Sequence, residues 1–462
     1  MNGVSASFTL SSFPKAIVHL DGDAFFAAVE QAVHPEWRGK PVVTGKERGI
    51  IACASYEAKA LGIKRGVRLH EAEKMCRELI VVPSDYETYC LYSKRMFNIM
   101  RRYTPIVEES SIDEGFADLT GLRRVFHASY IDIARQMKKA IEDELDITVS
   151  VGLSPSKGLG KLASKHHKPN GLTSVPGHKI HEFLPRIPIE EVWGFGPNIS
   201  AFLRKQGLST AYDFAVMPEA WASKKLGKIG REIWNELRGN SVYPVTTEEK
   251  TDYATISKCK TFTAPSGDPD FIHAKLVRNV ESAFIKVRRH RLRARYLYVA
   301  LRTKDYQQRG VEAELSRATS SPQEVLPLVR TMFDRLYLPG LEYRTTMVVL
   351  GKLEEDRVDQ FELFEDRVRI EHLREAVRAT DDLAERYGKH AVSLGTGLFL
   401  DQHQKTGRDE KPLRRGDLLS GETDRQRINL PKRVVGVGGG GGGGGWGWVF
   451  GVQCSVFGKD SG

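Results

Sequence analysis

Cysteine is scarce in this chain, with five among 462 residues, at positions 53, 76, 90, 259 and 454. The number is odd, the spacing is wide and no Cys-x-x-Cys occurs. That argues against a disulfide framework and against a cysteine zinc site, and it fits a reducing cytoplasm. No stretch approaches about 18 uninterrupted apolar residues, so no membrane-spanning helix is expected. A positive segment followed by an apolar core and a small-residue cleavage site is also missing from the start, which argues against a secretory leader. Acidic residues are in the minority: 59 Asp and Glu stand against 69 Lys and Arg, a formal net charge of +10. A basic balance favours a polyanionic partner, either nucleic acid or an anionic surface. The hydrophobic share of 40% and charged share of 28% are otherwise those of an ordinary enzyme. The length predicts several domains and ample core.

Residues 1–13 read as a loose lead-in. The run Ala16–Leu20 reads as a buried strand that ends at Asp21-Gly22-Asp23, and Phe25, Phe26, Ala28 and Val29 then suggest a helix. Strands are expected at Pro41–Thr44, Gly49–Ala54, Ile112–Leu119 and Thr148–Leu153, and helices at Ser55–Leu61, Arg68–Cys76, Tyr86–Tyr103 and Ser129–Leu145. This mixture predicts an α/β or α+β domain to about residue 178. Residues 179–240 read as short helices broken by glycine, 241–253 as a polar linker, and 254–355 as a second mixed region. Between 255 and 305 there are 12 Lys or Arg against 4 Asp or Glu, so most of the excess charge sits there. A short motif and a charged helix at about Arg369–Tyr387 occupy 356–400. From 401 the chain is polar and holds eight consecutive glycines, 438–445, so a disordered tail is expected.

Two acidic clusters stand at strand edges: Asp21-Gly22-Asp23 and Ser111-Ile112-Asp113-Glu114. Carboxylates at the ends of adjacent strands can converge and hold two hard divalent cations, with substrate phosphates as the remaining ligands. Such a site suits nucleotidyl transfer. Either cluster alone is more often solvated charge on a turn, and the surroundings decide between the readings.

Those surroundings are LDGDAFFAAVE (Leu20–Glu30), ACASYEAKALGIKRG (Ala52–Gly66), ESSIDEGFADLTG (Glu109–Gly121), VGLSPSKGLGKLASKHHKPNG (Val151–Gly171) and VWGFGP (Val192–Pro197), in that order. Over roughly residues 15–365 the chain resembles the Y-family, the lesion-bypass DNA polymerases, and most closely their bacterial branch. The resemblance implies an α+β right-hand polymerase with a ferredoxin-like palm (14–30 and 85–178), small fingers (31–84), a helix–hairpin–helix thumb (179–240) and an α/β little finger (254–355). It implies two Mg²⁺ ions held by Asp21, Asp113, Glu114 and the Gly22 carbonyl, with Asp23 more often structural. Phe26 matches the steric gate, a ring with no room for a 2′-hydroxyl. Phe25, Cys53, Tyr56, Lys59 and Lys168 match residues around the incoming dNTP, and Lys157 lies in the same motif with a less certain role. Lys59 stands where arginine is more usual, and Cys53 where a hydroxyl residue is common. The first keeps the charge but loses the bidentate fork, and the second loses a hydroxyl contact.

Gly194 and Gly196 in Trp193–Pro197 read as a hairpin turn whose backbone N–H groups can approach a DNA phosphate; Gly227-Lys228-Ile229-Gly230 is a weaker copy. Lys286, Arg288, Arg289, Arg291, Arg293 and Arg295 form a basic segment. From 291 its alternation places charge on one strand face. Gln360, Leu363 and Phe364, in QFELF, resemble the pentapeptide by which bacterial polymerases dock on the sliding clamp. The expected partners are thus primer–template DNA, dNTPs and a sliding clamp, with no membrane and a monomeric chain. A non-enzymatic adaptor is disfavoured because all three acids are present. A nucleotide cyclase is disfavoured because it has no duplex to hold.

Overall fold

The computed structural model describes residues 11–247, 253–356 and 366–387, a few positions near 392–400, and two three-residue strands, Arg433–Val435 and Val452–Cys454, which pair antiparallel. The pentapeptide holding Gln360, Leu363 and Phe364 lies outside the described residues, as does most of the tail from 401. The chain divides into two compact units, one over Met1–Glu249 and one beginning at Lys250.

The first unit runs β1 (Ile17–Gly22), α1 (Phe25–Val33), β2 (Val42–Thr44), β3 (Cys53–Ala54), α2 (Tyr56–Ala60), α3 (Leu69–Met75) and β4 (Ile80–Val82). It continues with α4 (Tyr86–Arg101), β5 (Val107–Glu109), β6 (Glu114–Asp118), α5 (Arg123–Phe126), α6 (Tyr130–Leu145), β7 (Val149–Ser154), α7 (Lys157–His166) and β8 (Leu172–Ser174). Its helical end holds α8 (Ile180–Phe183), α9 (Pro197–Lys205), α10 (Ala211–Ala215) and α11 (Glu219–Leu237). Five strands make one sheet in the order β5-β6-β1-β7-β8, antiparallel except for the β7–β8 pair. β1 lies at its centre between β6 and β7, which is why its run IVHL is buried on every residue rather than alternating. α4 and α6 pack together, and α7 lies against β1 and β7.

That last contact is close enough to require glycine. A Cβ on Gly152 would stand 2.1 Å from the Gly160 carbonyl oxygen and 2.5 Å from the Ser164 nitrogen. The α7 backbone therefore rests directly on the strand, and its side chains reach the end of β1.

A smaller sheet, β3-β2-β4, closes over Val43, Ile51, Ala54, Ala58, Ile63 and Ala72. The strand expected over Gly49–Ala54 shrinks to Cys53–Ala54. A 3-10 turn at Lys46–Arg48 and Gly49 at φ +66° take up the residues before it, and Ile50 makes only an isolated bridge to Arg68. β4 and β5 were not anticipated: each is three residues long, too short to show alternation.

The helical end shares a core with α7: Leu159, Leu162 and Ala163 pack with Val192, Phe195, Leu203, Phe214 and Ile233. Gly194 takes φ +97°, and a Cβ there would meet Ile233 Cδ1 at 2.7 Å, so both backbone and space demand glycine. The second glycine hairpin is also a real break, since Gly227 interrupts α11 at φ 68°, ψ −155°.

The second unit is a four-stranded antiparallel sheet, β11-β10-β12-β9, made by β9 (Thr255–Ser266), β10 (Leu292–Thr303), β11 (Gln308–Thr319) and β12 (Tyr343–Glu355). α12 (Pro269–Arg289) and α13 (Pro322–Leu336) bury Leu276, Val280, Phe284, Val329 and Phe333 against Leu297, Val299, Val348 and Leu350. A further helix, α14 (Arg367–Tyr387), follows β12 and buries Ile370 and Val377, two turns apart on one face. The reading of one charged strand face from Arg291, and of Arg288 as a DNA contact beside it, needs correction. Arg288 forks onto Asp381 of α14 at 2.6 and 2.8 Å and donates to the Ser320 carbonyl. Arg293 is buried, with Asp356 3.6 Å away. Arg291 precedes the strand at φ +52°, so the alternation is broken where the strand starts. Arg289, Arg291 and Arg295 stay exposed.

Gly152→Ala should destabilise the first unit by about 1–3 kcal/mol, the usual effect of overpacking against backbone. Urea or thermal unfolding of the two proteins measures it.

Candidate active site

The acidic clusters meet because β1 and β6 are antiparallel neighbours in a register that sets Asp21 directly opposite Glu114. The Gly22 N–H donates to the Asp113 carbonyl at 2.8 Å, which draws the second cluster against the first. Two like charges facing each other across a ladder repel. Nearby cations offset this: Lys168 pairs with Asp21, and Lys161 Nζ reaches Glu114 Oε1 at 2.6 Å. Lys161 also lies over the Trp193 ring at 5.1 Å, which limits where its ammonium can go.

His19 sits two residues before Asp21 on the same strand face and is fully buried. Its Nδ1 is 2.7 Å from Ser164 Oγ, and its Nε2 is 3.5 Å from Glu114 Oε2, long for a hydrogen bond. Burial pushes His19 down, towards the neutral ring. Its neighbours suit a proton on Nε2 facing the carboxylate. The His19 N–H first, and Lys161 next, hold the Glu114 carboxyl down at about 2 against the opposing effect of burial.

Asp23 has a different fate. It is 1% exposed, and its oxygens accept from Ser150 Oγ at 2.8 Å and the Asn170 N–H at 2.7 Å. A carboxylate so engaged ties the loop between α7 and β8 to β7 and has little left for a ligand. Asp113 accepts from Ser111 Oγ at 2.5 Å, and that same oxygen receives the backbone N–H groups of Asp113 and Glu114. Gly22 is closely covered: a Cβ would stand 2.9 Å from Phe25 Cδ2. Phe25 is buried beneath it, while Phe26 stays half-buried beside α4.

Tyr56 opens α2 near the same acids. Burial, and then the charges of Asp23 and Asp21, push its hydroxyl well above the ordinary range, so it remains a donor. Lys59 lies 4.0 Å over the Tyr56 ring. The Cys53 thiol is raised by burial and stays protonated, with the Ala27 and Phe26 backbone beside it. Lys157 is turned elsewhere. It is 5% exposed, pairs with Glu108 at 2.6 Å and donates to the Pro244 carbonyl.

His19, Lys161 and Glu108 were not among the candidates read from the sequence. A signal existed for two of them: His19 is i−2 from Asp21 on a strand, and Lys161 is i+4 from Lys157 on a helix. Also missed was Glu236, 2% exposed at the end of α11. Its carboxylate accepts the N–H groups of Gly158, Val242 and Tyr243 at 2.7–3.0 Å, tying α7 to α11 and to the chain that follows.

Among the described residues no three His, Cys, Asp or Glu side chains gather as a preformed metal cage. The donor set nevertheless suits a hard cation. Asp21, Asp113 and Glu114 are oxygen donors at the neighbouring ends of two interior strands, in a repulsive arrangement that already draws in positive charge. Among the described residues no helix is long and apolar enough to cross a membrane.

The impB/mucB/samB family matches residues 20–165, and the C-terminal domain of the same family matches residues 254–363. A DNA polymerase IV of Moorella thermoacetica is 32% identical over 388 residues, covering 83% of this chain and 96% of the relative. A DNA polymerase IV of Desulfatibacillum aliphaticivorans is 31% identical over 379 residues, covering 81% and 95%. Among solved structures, a Y-family DNA polymerase chimera aligns over 73% of this chain and 98% of its own, with TM-score 0.63 and 24% identity, a likeness of fold.

The depressed Glu114 carboxyl has a pH consequence. Its native contacts contribute fully above the unfolded value near 4.5, and the contribution is lost as pH falls towards about 2. Glu114→Gln should therefore lose less stability than the wild type across that window. Urea midpoints at several pH values between those limits measure the difference in slope.

Proposed function

The chain belongs to the impB/mucB/samB family, the Y-family DNA polymerases, and from that membership we propose that Asp21, Asp113 and Glu114 form its catalytic centre. Its activity is template-directed DNA synthesis of the translesion kind that serves DNA damage tolerance, so primer–template DNA and dNTPs are its substrates. The observation that carries the site assignment is the register of Asp21 against Glu114, with Lys161 and Lys168 drawn to them.

The five-stranded sheet with α4, α6 and α7 is the palm, the small β3-β2-β4 sheet the fingers, the glycine-broken helices α9–α11 the thumb, and the second unit's sheet and helices the little finger. Asp21, Asp113, Glu114 and the Gly22 carbonyl would hold two Mg²⁺ ions. Bound there, such ions lower the pKa of an attacking hydroxyl and stabilise a leaving pyrophosphate. The remaining work belongs to the chain. Lys168 exchanges Asp21 for the triphosphate when a nucleotide enters, because the phosphates offer more negative charge than one carboxylate. The Tyr56 hydroxyl, kept protonated, donates to the same phosphates. Lys59 adds a point charge beside it, and the Cys53 thiol and Phe25 complete the wall. Phe26 presents its ring beneath the sugar and excludes a 2′-hydroxyl by clash.

Gly194 and Gly196, with the break at Gly227, bring backbone N–H groups to DNA phosphates. Arg289, Arg291 and Arg295 add charge on the little finger, without sequence preference. Arg288 and Arg293, engaged with Asp381 and Asp356, are left out of that surface. Gln360, Leu363 and Phe364 serve as the sliding-clamp anchor, and the chain acts as a monomer.

Primer extension tests the reading. Asp113→Ala or Glu114→Ala should lower single-nucleotide incorporation by about 10³-fold or more while DNA affinity, read by a mobility shift, is kept. Extension at the wild-type rate by either variant would remove the catalytic assignment. Phe26→Ala should admit ribonucleotides, read as the ratio of dNTP to rNTP incorporation. An unchanged ratio would make Phe26 an ordinary packing residue.

A further inference from the structure

We infer that Tyr89 and Glu30 are positioning residues that hold the Phe26 ring in place and thereby set how well ribose is told from deoxyribose. The inference rests on the reading of Phe26 as the steric gate.

Phe26 lies in the first turn of α1 and is only half-buried, so apolar packing alone does not fix its ring. Its support comes from α4. Tyr89 stacks flat beneath it, with centroids 4.4 Å apart and planes 13° from parallel. Tyr86 meets it edge-on at 5.5 Å and 75°. The two tyrosines are three residues apart, hence on one face of α4. Tyr89 is fully buried, and its hydroxyl donates to Glu30 Oε1 at 2.5 Å. Glu30 is itself buried and stands four residues after Phe26, on the same face of α1. The contacts therefore close a loop: Phe26 of α1 on Tyr89 of α4, and Tyr89 back on Glu30 of α1. Tyr86 is held in turn by Arg48, whose Nη2 donates to its hydroxyl at 2.5 Å.

The geometry explains why a tyrosine stands at 89. A stacked pair resists separation but slides easily in its own plane. A hydrogen bond from Tyr89 to a carboxylate fixes the lower ring, so the Phe26 ring rests on a surface that does not shift, and a charged acceptor makes the bond short and strong. Burial, and then the Glu30 charge, raise the Tyr89 hydroxyl far above the ordinary range, so it stays a donor at any working pH. A gate that discriminates by a single oxygen atom must not tilt away, and this pin opposes the tilt.

The test measures kcat and KM for one dNTP and the matching rNTP, on one primer–template. The proteins are the wild type, Phe26→Ala, Tyr89→Leu, Tyr89→Phe, Glu30→Ala and Glu30→Gln. Tyr89→Leu should lower the dNTP-to-rNTP ratio of kcat/KM by about tenfold, chiefly by improving the rNTP, while KM for the dNTP stays within about twofold. Tyr89→Phe and Glu30→Ala should lower it by about threefold, because the stack remains but slides. Glu30→Gln, whose carbonyl still accepts, should restore the wild-type ratio. A purely structural role would instead weaken both nucleotides together. If Phe26→Ala collapses the ratio while Tyr89→Leu and Glu30→Ala keep it, the inference is wrong and the gate reading stands. An unchanged ratio in Phe26→Ala overturns both. Should Tyr89→Leu fail to fold by circular dichroism, Tyr89→Phe and Glu30→Ala decide, and a wild-type ratio in both overturns the inference.

Discussion

The first unit is arranged around an electrostatic conflict: two carboxylates, Asp21 and Glu114, face each other across a β ladder. Such a pair is unfavourable by itself. It persists because the strands are fixed by buried register partners, and because α7 delivers a cation to one acid while Lys168, after it, reaches the other. The close seating of α7 on β7, through Gly152 and Gly160, brings Lys161 within reach. His19 contributes from within the strand, neutral and buried, with Ser164 behind it. Oxygen donors crowded in this way, only partly offset by the lysines, are the chemistry a hard cation prefers.

The supports of that site extend outward. Lys157, one turn before Lys161, pairs with Glu108, and Glu108 also receives the Thr246 N–H at 2.8 Å. Glu236 caps the start of α7 through Gly158 and holds Val242 and Tyr243. A buried carboxylate, Glu236, and a half-buried one, Glu108, thus tie the end of α11, the chain that follows it and β5 to the helix that carries the lysine. Removing Glu236 would leave the buried Gly158 N–H without its acceptor, and removing Glu108 would leave the buried Lys157 ammonium without its carboxylate.

Much of the centre was legible in the sequence. The apolar run at Ala16–Leu20 ending in acids, and the five ordered motifs, pointed to a strand-edge site, and the comparisons show the family. The mixed α/β character was readable from the alternation of strand and helix signals. Other features were hidden for physical reasons. His19 lies in an apolar run, where a histidine reads as packing. The pairing of Lys157 with Glu108 spans 49 residues and leaves no local signal. The alternating arginines 291, 293 and 295 look like one charged strand face. A backbone break at Arg291 and an ion pair to Asp356 divide them, and period-two counting assumes a strand already begun. Arg288 shows the same limit, since its partner Asp381 lies on a helix 93 residues away.

The central claim is that the lysines stand in for cations at the acidic site. Manganese binding, read from the electron paramagnetic resonance signal of the free ion, addresses it without catalysis. The comparison is between the wild type, Lys161→Met and Glu114→Gln, all without nucleotide. The account predicts that Lys161→Met binds the ion about threefold or more tightly, because a competing charge is gone, and that Glu114→Gln binds it more weakly. Equal or weaker binding by Lys161→Met would contradict it.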